Sequence, residues 1–113
     1  MSDNDRFQLI VTIVPQGFAS TVVEAAKAAG ARGGTILRGR GSGVHEVGRF
    51  FGVPIEPEKE IVLVLIGRER TATVMKAVVD AGRLDAPGTG IAFVLDVPMV
   101  AGIAELADPA RSR

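Results

Sequence analysis

Apolar positions recur with two different periods along the chain, and the switches between them predict its elements. Phe7 to Pro15, FQLIVTIVP, is a β-branched apolar run stopped by proline, which predicts a strand with both faces at least partly covered. After a turn at Gln16-Gly17 the spacing becomes helical: Phe18, Val22, Val23, Ala26 and Ala29 fall on one face, and Gly30 stands where a helix C-terminal glycine belongs. A short β-prone run, Thr35-Ile36-Leu37, is flanked by glycines. Glu60 to Gly67, EIVLVLIG, reads as another buried-type strand, and Arg70 to Ala81 as a helix with Val74, Met75, Val78 and Val79 on one face and Gly82 closing it. Pro87-Gly88-Thr89-Gly90 is a turn cluster before a fourth strand, Ile91 to Val97; the segment from Pro98 is apolar but broken, and DPARSR reads as a frayed end.

The two halves of the chain resemble each other. Thr21 to Gly30, TVVEAAKAAG, matches Thr73 to Gly82, TVMKAVVDAG, and Val11 to Val14 matches Val62 to Leu65. Each half is strand, helix, glycine turn, strand. A repeated β-α-β unit of this length predicts an α+β, ferredoxin-like sandwich: an antiparallel four-stranded sheet with both helices on one face. The helices cover one face only, yet the strands are apolar on both. The open face is therefore expected to be buried against other copies of the chain.

Composition sharpens that expectation. The chain has 113 residues, which favours a single domain. It is 47% hydrophobic with zero formal net charge, which excludes a disordered chain or a bulk polyanion binder, so recognition of charge must be local. Ferredoxin-like RNA readers stack bases on aromatics of the central strands. Here those strands are aliphatic, which argues against a nucleic-acid partner. There is no cysteine, so disulfides and thiolate metal sites are excluded. MSDNDRF lacks the character of a signal peptide, and no apolar run approaches the ~20 residues of a membrane span. The expectation is a cytoplasmic protein with no direct membrane insertion.

Candidate chemistry gathers around Gly33 to Gly43, GGTILRGRGSG, where Arg38 and Arg40 lie among glycines and suit an anion such as a phosphate. A flexible connection with solvated arginines is the plainer alternative. From Arg40 to Pro57 the chain shows little regular pattern, and a loop that long inside a compact domain is usually functional. It carries Phe50 and Phe51 side by side, either tucked against the body or held for a partner. His45, the only histidine, lies beside Glu46; one histidine without cysteine makes a poor closed metal site, so no metal is expected. Asp96 and the cluster Glu56, Glu58 and Glu60 show no spacing that singles out an acid and a base, and no nucleophile-base arrangement is visible. An enzyme, and any catalytic residue, is not expected.

Taken in order, Gly30-Ala31-Arg32-Gly33-Gly34-Thr35, Arg40-Gly41-Ser42-Gly43, the long loop, the strand after Pro57, and Gly88-Thr89-Gly90 followed by Phe93-Val94-Leu95-Asp96-Val97 resemble the P-II nitrogen regulatory proteins over about residues 7–104. The resemblance implies a homotrimeric signal carrier with one P-II-like domain, 1–113: a first half 6–39, a T-loop-like segment 40–58, a second half 59–97 and a C-terminal segment 98–113. It implies an adenine nucleotide (ADP, AMP or ATP) as effector in clefts between subunits. Thr35 would lie on the adenine side, Gly41 and Gly43 at the loop base, Gly88, Thr89 and Gly90 at the phosphate-facing turn, and Lys59 before the third strand, with Arg38 and Arg40 as local cations. The loop, with His45, Arg49, Phe50 and Phe51, would engage a membrane transporter or metabolic enzyme. The chain departs from the family in charge. The family turn ends Gly-Asp-Gly-Lys, where this chain has Ile91, and two family arginines after the last strand correspond to Gly102 and Ala104. Each lost cation–phosphate contact removes about 1.5 to 3 kcal/mol. The alternatives are a trimer that no longer binds nucleotide, and a ferredoxin-like regulatory domain for an amino acid or other small metabolite.

Overall fold

The computed structural model describes residues 6–42, 48–50 and 53–102, with residues 48–50 and 53–55 described by their backbone. In chain order the elements are β1 (Phe7–Pro15), α1 (Ala19–Ala28), β2 (Thr35–Arg40), β3 (Gly48–Phe50), β4 (Val53–Ile55), β5 (Glu58–Gly67), a 3-10 turn (Arg68–Arg70), α2 (Thr71–Gly82) and β6 (Ile91–Val97). The main sheet has four strands in the order β2-β5-β1-β6, every pairing antiparallel. This is the α+β, ferredoxin-like plan that the duplicated halves predict.

Register explains which side chains meet the helices. Ile10 lies opposite Val64 on β5 and Val94 on β6, and Thr12 lies opposite Val62 and Ala92, so these residues share one face. On that face Ile10, Val14, Val62 and Val64 are fully buried against Val22 of α1 and Val74 and Val78 of α2. Each such aliphatic side chain contributes about 1.5 to 3 kcal/mol on leaving water. Thr12 is buried among them, and its hydroxyl has no partner among the described residues.

The other face is apolar and carries no helix among the described residues. Rows such as Leu65–Leu9–Leu95, Leu63–Val11–Phe93 and Leu37–Ile61–Ile13–Ile91 cross it in register. Toward the edges these side chains remain open to solvent: Leu37 is 47% exposed, Ile91 56%, Phe93 39% and Leu95 49%.

Four sequence expectations are corrected. The second strand extends beyond Leu37 to Arg40, because the glycine-arginine stretch finds a ladder on β5, with Arg38 opposite Glu60 and Arg40 opposite Glu58. The third main strand accordingly begins at Glu58 rather than Glu60. Part of the long loop is regular: β3 and β4 form a separate two-stranded ribbon pairing Gly48 with Ile55 and Phe50 with Val53. Finally, Gly82 does not close the second helix from outside. It is the last residue of α2, and Arg83 takes the left-handed conformation at φ 53°.

Candidate functional site

Thr35 opens β2 opposite Leu63 in the middle of β5, whereas the strand directions bring the loop base, Lys59 and the glycine turn to one end of the sheet, away from it. β1 and β2 end there and β5 and β6 begin there, as the pairs Pro15–Lys59, Arg40–Glu58 and Ile13–Ile91 require. The base of the long loop, the turn after β1 and the Gly88-Thr89-Gly90 turn therefore share this end. They do not share an edge. The loop base continues β2 and the glycine turn precedes β6, so β5 and β1 lie between them. Three strand spacings amount to about 14 Å. Within one chain the two groups do not converge on a single small ligand.

At the loop base, Gly41 N–H donates to the Pro57 carbonyl at 3.1 Å and closes the two legs of the loop one residue beyond the β2–β5 ladder. Thr35 is exposed, in register with Leu63 on the open face. Lys59 is largely buried and lies between Pro15 and Gly39 in register. Arg38 and Arg40 lie on the opposite, helix-bearing face, each directly across from a glutamate. Opposite charges so placed on neighbouring strands attract.

One of those glutamates has a second task. Glu60 Oε1 accepts the Gly17 N–H at 2.8 Å and the Ala19 N–H at 3.0 Å. These bonds, the Ala19 one foremost, hold its carboxyl below the usual carboxylate range, with the Arg38 charge adding to the effect. Helix α1 starts after Phe18, which has no capping oxygen, so its free N–H groups are met from β5 instead. From the sequence Glu60 is one of a cluster of glutamates with no acid–base spacing; the structure makes it a helix cap. The signal that identifies it is the missing Ser, Thr, Asp or Asn at the helix start.

The glycine turn is rigid in a different way. Gly88 and Gly90 have φ 76° and 140°, and a Cβ on Gly90 would lie 2.4 Å from the Ile13 carbonyl oxygen. Glycine is thus required at 90 both for its dihedral and for the close approach to β1. The Thr89 hydroxyl lies 2.7 Å from the Arg83 carbonyl and 2.8 Å from that of Ala86, so it donates back into its own turn. Beside the turn, between the end of α2 and the start of β6, lies an open hollow of about 270 Å³ lined by Val79, Leu84, Asp85, Gly90, Ile91 and Ala92.

Asp96 lies at the far end of β6. Its Oδ1 accepts Gln8 Nε2 at 2.8 Å and Arg68 Nη2 at 2.7 Å, and these bonds hold its carboxyl below the usual range. It ties β6 to β1 and to the turn after β5. Gly43, His45 and Phe51 lie outside the described residues; Arg49 and Phe50 are placed on β3 by their backbone.

The profile of the nitrogen regulatory protein P-II family matches residues 7–105. The chain belongs to the P-II family. None of the curated proteins matches it. Among solved structures it is similar to Arabidopsis thaliana PII bound to citrate, with a TM-score of 0.70 and 23% identity over 88% of this chain and 84% of that one. That likeness carries the fold. The P-II match places the chain among regulatory signalling proteins, and no helix among the described residues is long and apolar enough to cross a membrane.

Proposed function

We propose that this P-II family member is a homotrimeric, non-enzymatic signal carrier. It binds an adenine nucleotide between subunits and passes its occupancy to a partner transporter or metabolic enzyme through the segment 40–58. The observation that carries the reading is the separation of the loop base and the glycine turn on opposite edges of one sheet end, beside an open apolar face. In a closed ring each subunit offers one edge to each neighbour, so every cleft receives one loop base and one glycine turn. An apolar sheet face of this kind is otherwise a liability in water.

In this reading Thr35, Lys59, Gly41 and Gly43 form one wall, Arg38 and Arg40 border it from the helix-bearing face of β2, and Gly88, Thr89 and Gly90 of a neighbour form the other. His45, Arg49, Phe50 and Phe51 are assigned to the partner. The whole chain, 1–113, acts as one P-II-like domain in the cytoplasm. The Arabidopsis thaliana PII structure contains citrate, which supports a small anionic effector as the class of ligand. For the nucleotide to act as a switch it must bind one loop state more tightly than the other. Light scattering on the purified chain and calorimetry with adenine nucleotides test the two parts separately. A monomer in solution rejects the shared cleft, and no heat with any adenine nucleotide at millimolar concentration rejects the ligand.

A further inference from the structure

We infer that the start of β5, Glu58 to Glu60, is a clasp that couples the stem of segment 40–58 to the turn between β1 and α1, so that opening either one loosens the other. The coupling runs through the body of the fold and requires no nucleotide.

β5 is an inner strand, with β2 on one side and β1 on the other. On the β2 side Arg40 lies across from Glu58 and Arg38 from Glu60, and the Gly41 N–H donates to the Pro57 carbonyl at 3.1 Å, just past the ladder. On the β1 side the same glutamates hold the turn. The Glu58 carbonyl accepts the Gln16 N–H at 3.3 Å, and Glu60 Oε1 accepts those of Gly17 and Ala19 at 2.8 and 3.0 Å. The Phe18 N–H and the Arg38 charge act on that same carboxylate.

The turn depends on these bonds. The β1–β5 ladder reaches its last rung at Pro15–Lys59, and Phe18 brings no side-chain cap to α1. Within the turn the Phe18 N–H donates to the Pro15 carbonyl at 3.2 Å; the described bonds that tie the turn to the rest of the fold run to Glu58 and Glu60. Parting the two legs of the stem as far as Arg38 would make the start of β5 an edge, and both glutamates would lose the rungs that hold them in place to receive the turn. Phe18, 54% exposed, rides on that turn, so the surface it offers beside α1 follows the state of the stem. Coupling of this kind is reciprocal: a contact that fixes the turn also holds the stem closed.

Amide hydrogen exchange of the full chain, resolved by NMR and referred to the Ile10 amide in the inner strand β1, tests the clasp from both sides. Arg40→Glu sets like charges across the outermost rung of the stem. It is expected to speed exchange at Gly17 and Ala19, on the far side of β5, by about fivefold or more, the lower end of ordinary coupling between sites. Gly17→Ala puts a side chain at φ 99° with open space around its Cβ, so it strains the turn and crowds nothing else. It is expected to speed exchange at Gly41, across β5 in the stem, by a similar factor. Unchanged far-side exchange in either variant, relative to Ile10, overturns the clasp.

Discussion

Glu60 on β5 caps helix α1 from across the fold, its carboxylate accepting the Ala19 N–H at 3.0 Å. The same oxygen takes the Gly17 N–H at 2.8 Å, so one side chain next to the loop's return leg holds the chain's first turn and first helix. Because the folded state lowers this carboxyl's pKa, its contribution is fully present above the unfolded value of about 4.3 and is lost as pH falls through the lower folded value. Glu60→Ala is expected to lower the melting temperature at neutral pH. Glu60→Gln, which keeps an acceptor oxygen, is expected to melt closer to wild type at pH 7 and to lose less stability on acidification. Thermal melts from pH 7 down to about 3 read both effects; equal acid sensitivity of Glu60→Gln and wild type would remove Glu60 from the account.

Thr12 places a hydroxyl without a described partner in the most tightly buried layer of the sheet, between Val62 and Ala92. A buried polar group left unsatisfied costs about 1 to 3 kcal/mol. Thr12→Val replaces the hydroxyl by a methyl of similar shape and is expected to stabilise the fold by about 1 kcal/mol. Urea unfolding with an unchanged m-value measures it. A destabilised variant would mean that the hydroxyl has a partner.

The two glycines of the turn before β6 differ in what surrounds them. At Gly88 a Cβ meets open space, so Gly88→Ala bears only the left-handed dihedral, about 1 to 2 kcal/mol. At Gly90 the new Cβ would also collide with the Ile13 carbonyl at 2.4 Å, and β1 and β6 must separate. Gly90→Ala is therefore expected to cost more than Gly88→Ala by at least about 1 kcal/mol, on the scale of strained backbone sites. Comparative denaturation of the two variants tests the order.

Leu95 and Phe93 stand on the helix-free face of the edge strand β6, in register with Leu9 and Val11. A carboxylate there would be desolvated without a partner if the face packs against other copies. If the proposed trimer forms through this face, Leu95→Asp is expected to give monomers that retain their far-ultraviolet circular dichroism. Sedimentation velocity of wild type and variant distinguishes the outcomes, and an oligomer unchanged by the substitution would place the interface elsewhere.

Much of this protein follows from local pattern alone. Period-two and helical runs of apolar residues sufficed for β1, α1, β5, α2 and β6 because each burial face is written within about ten consecutive residues. The duplicated halves implied the sheet and its helix-covered face, and the apolar alternate positions implied that the second face also needs cover. The loop base was legible as a candidate anion site from its arginines and glycines, and the glycine turn as a candidate ligand wall only from the resemblance to the P-II family.

What pairing decides lay beyond that. Arg38 and Arg40 read as loop cations until β5 supplied a ladder that seats them opposite Glu60 and Glu58, because register is a relation between segments some twenty residues apart. The Glu60 cap likewise joins β5 to a helix start in the other half. Arg83, rather than Gly82, takes the left-handed cap because the helix runs one residue further before Leu84 turns back onto the core. The sequence by itself determined which residues seek burial and which turns need glycine. Only the tertiary structure decided which charges meet, since electrostatic partners are chosen by the packing that the apolar residues impose.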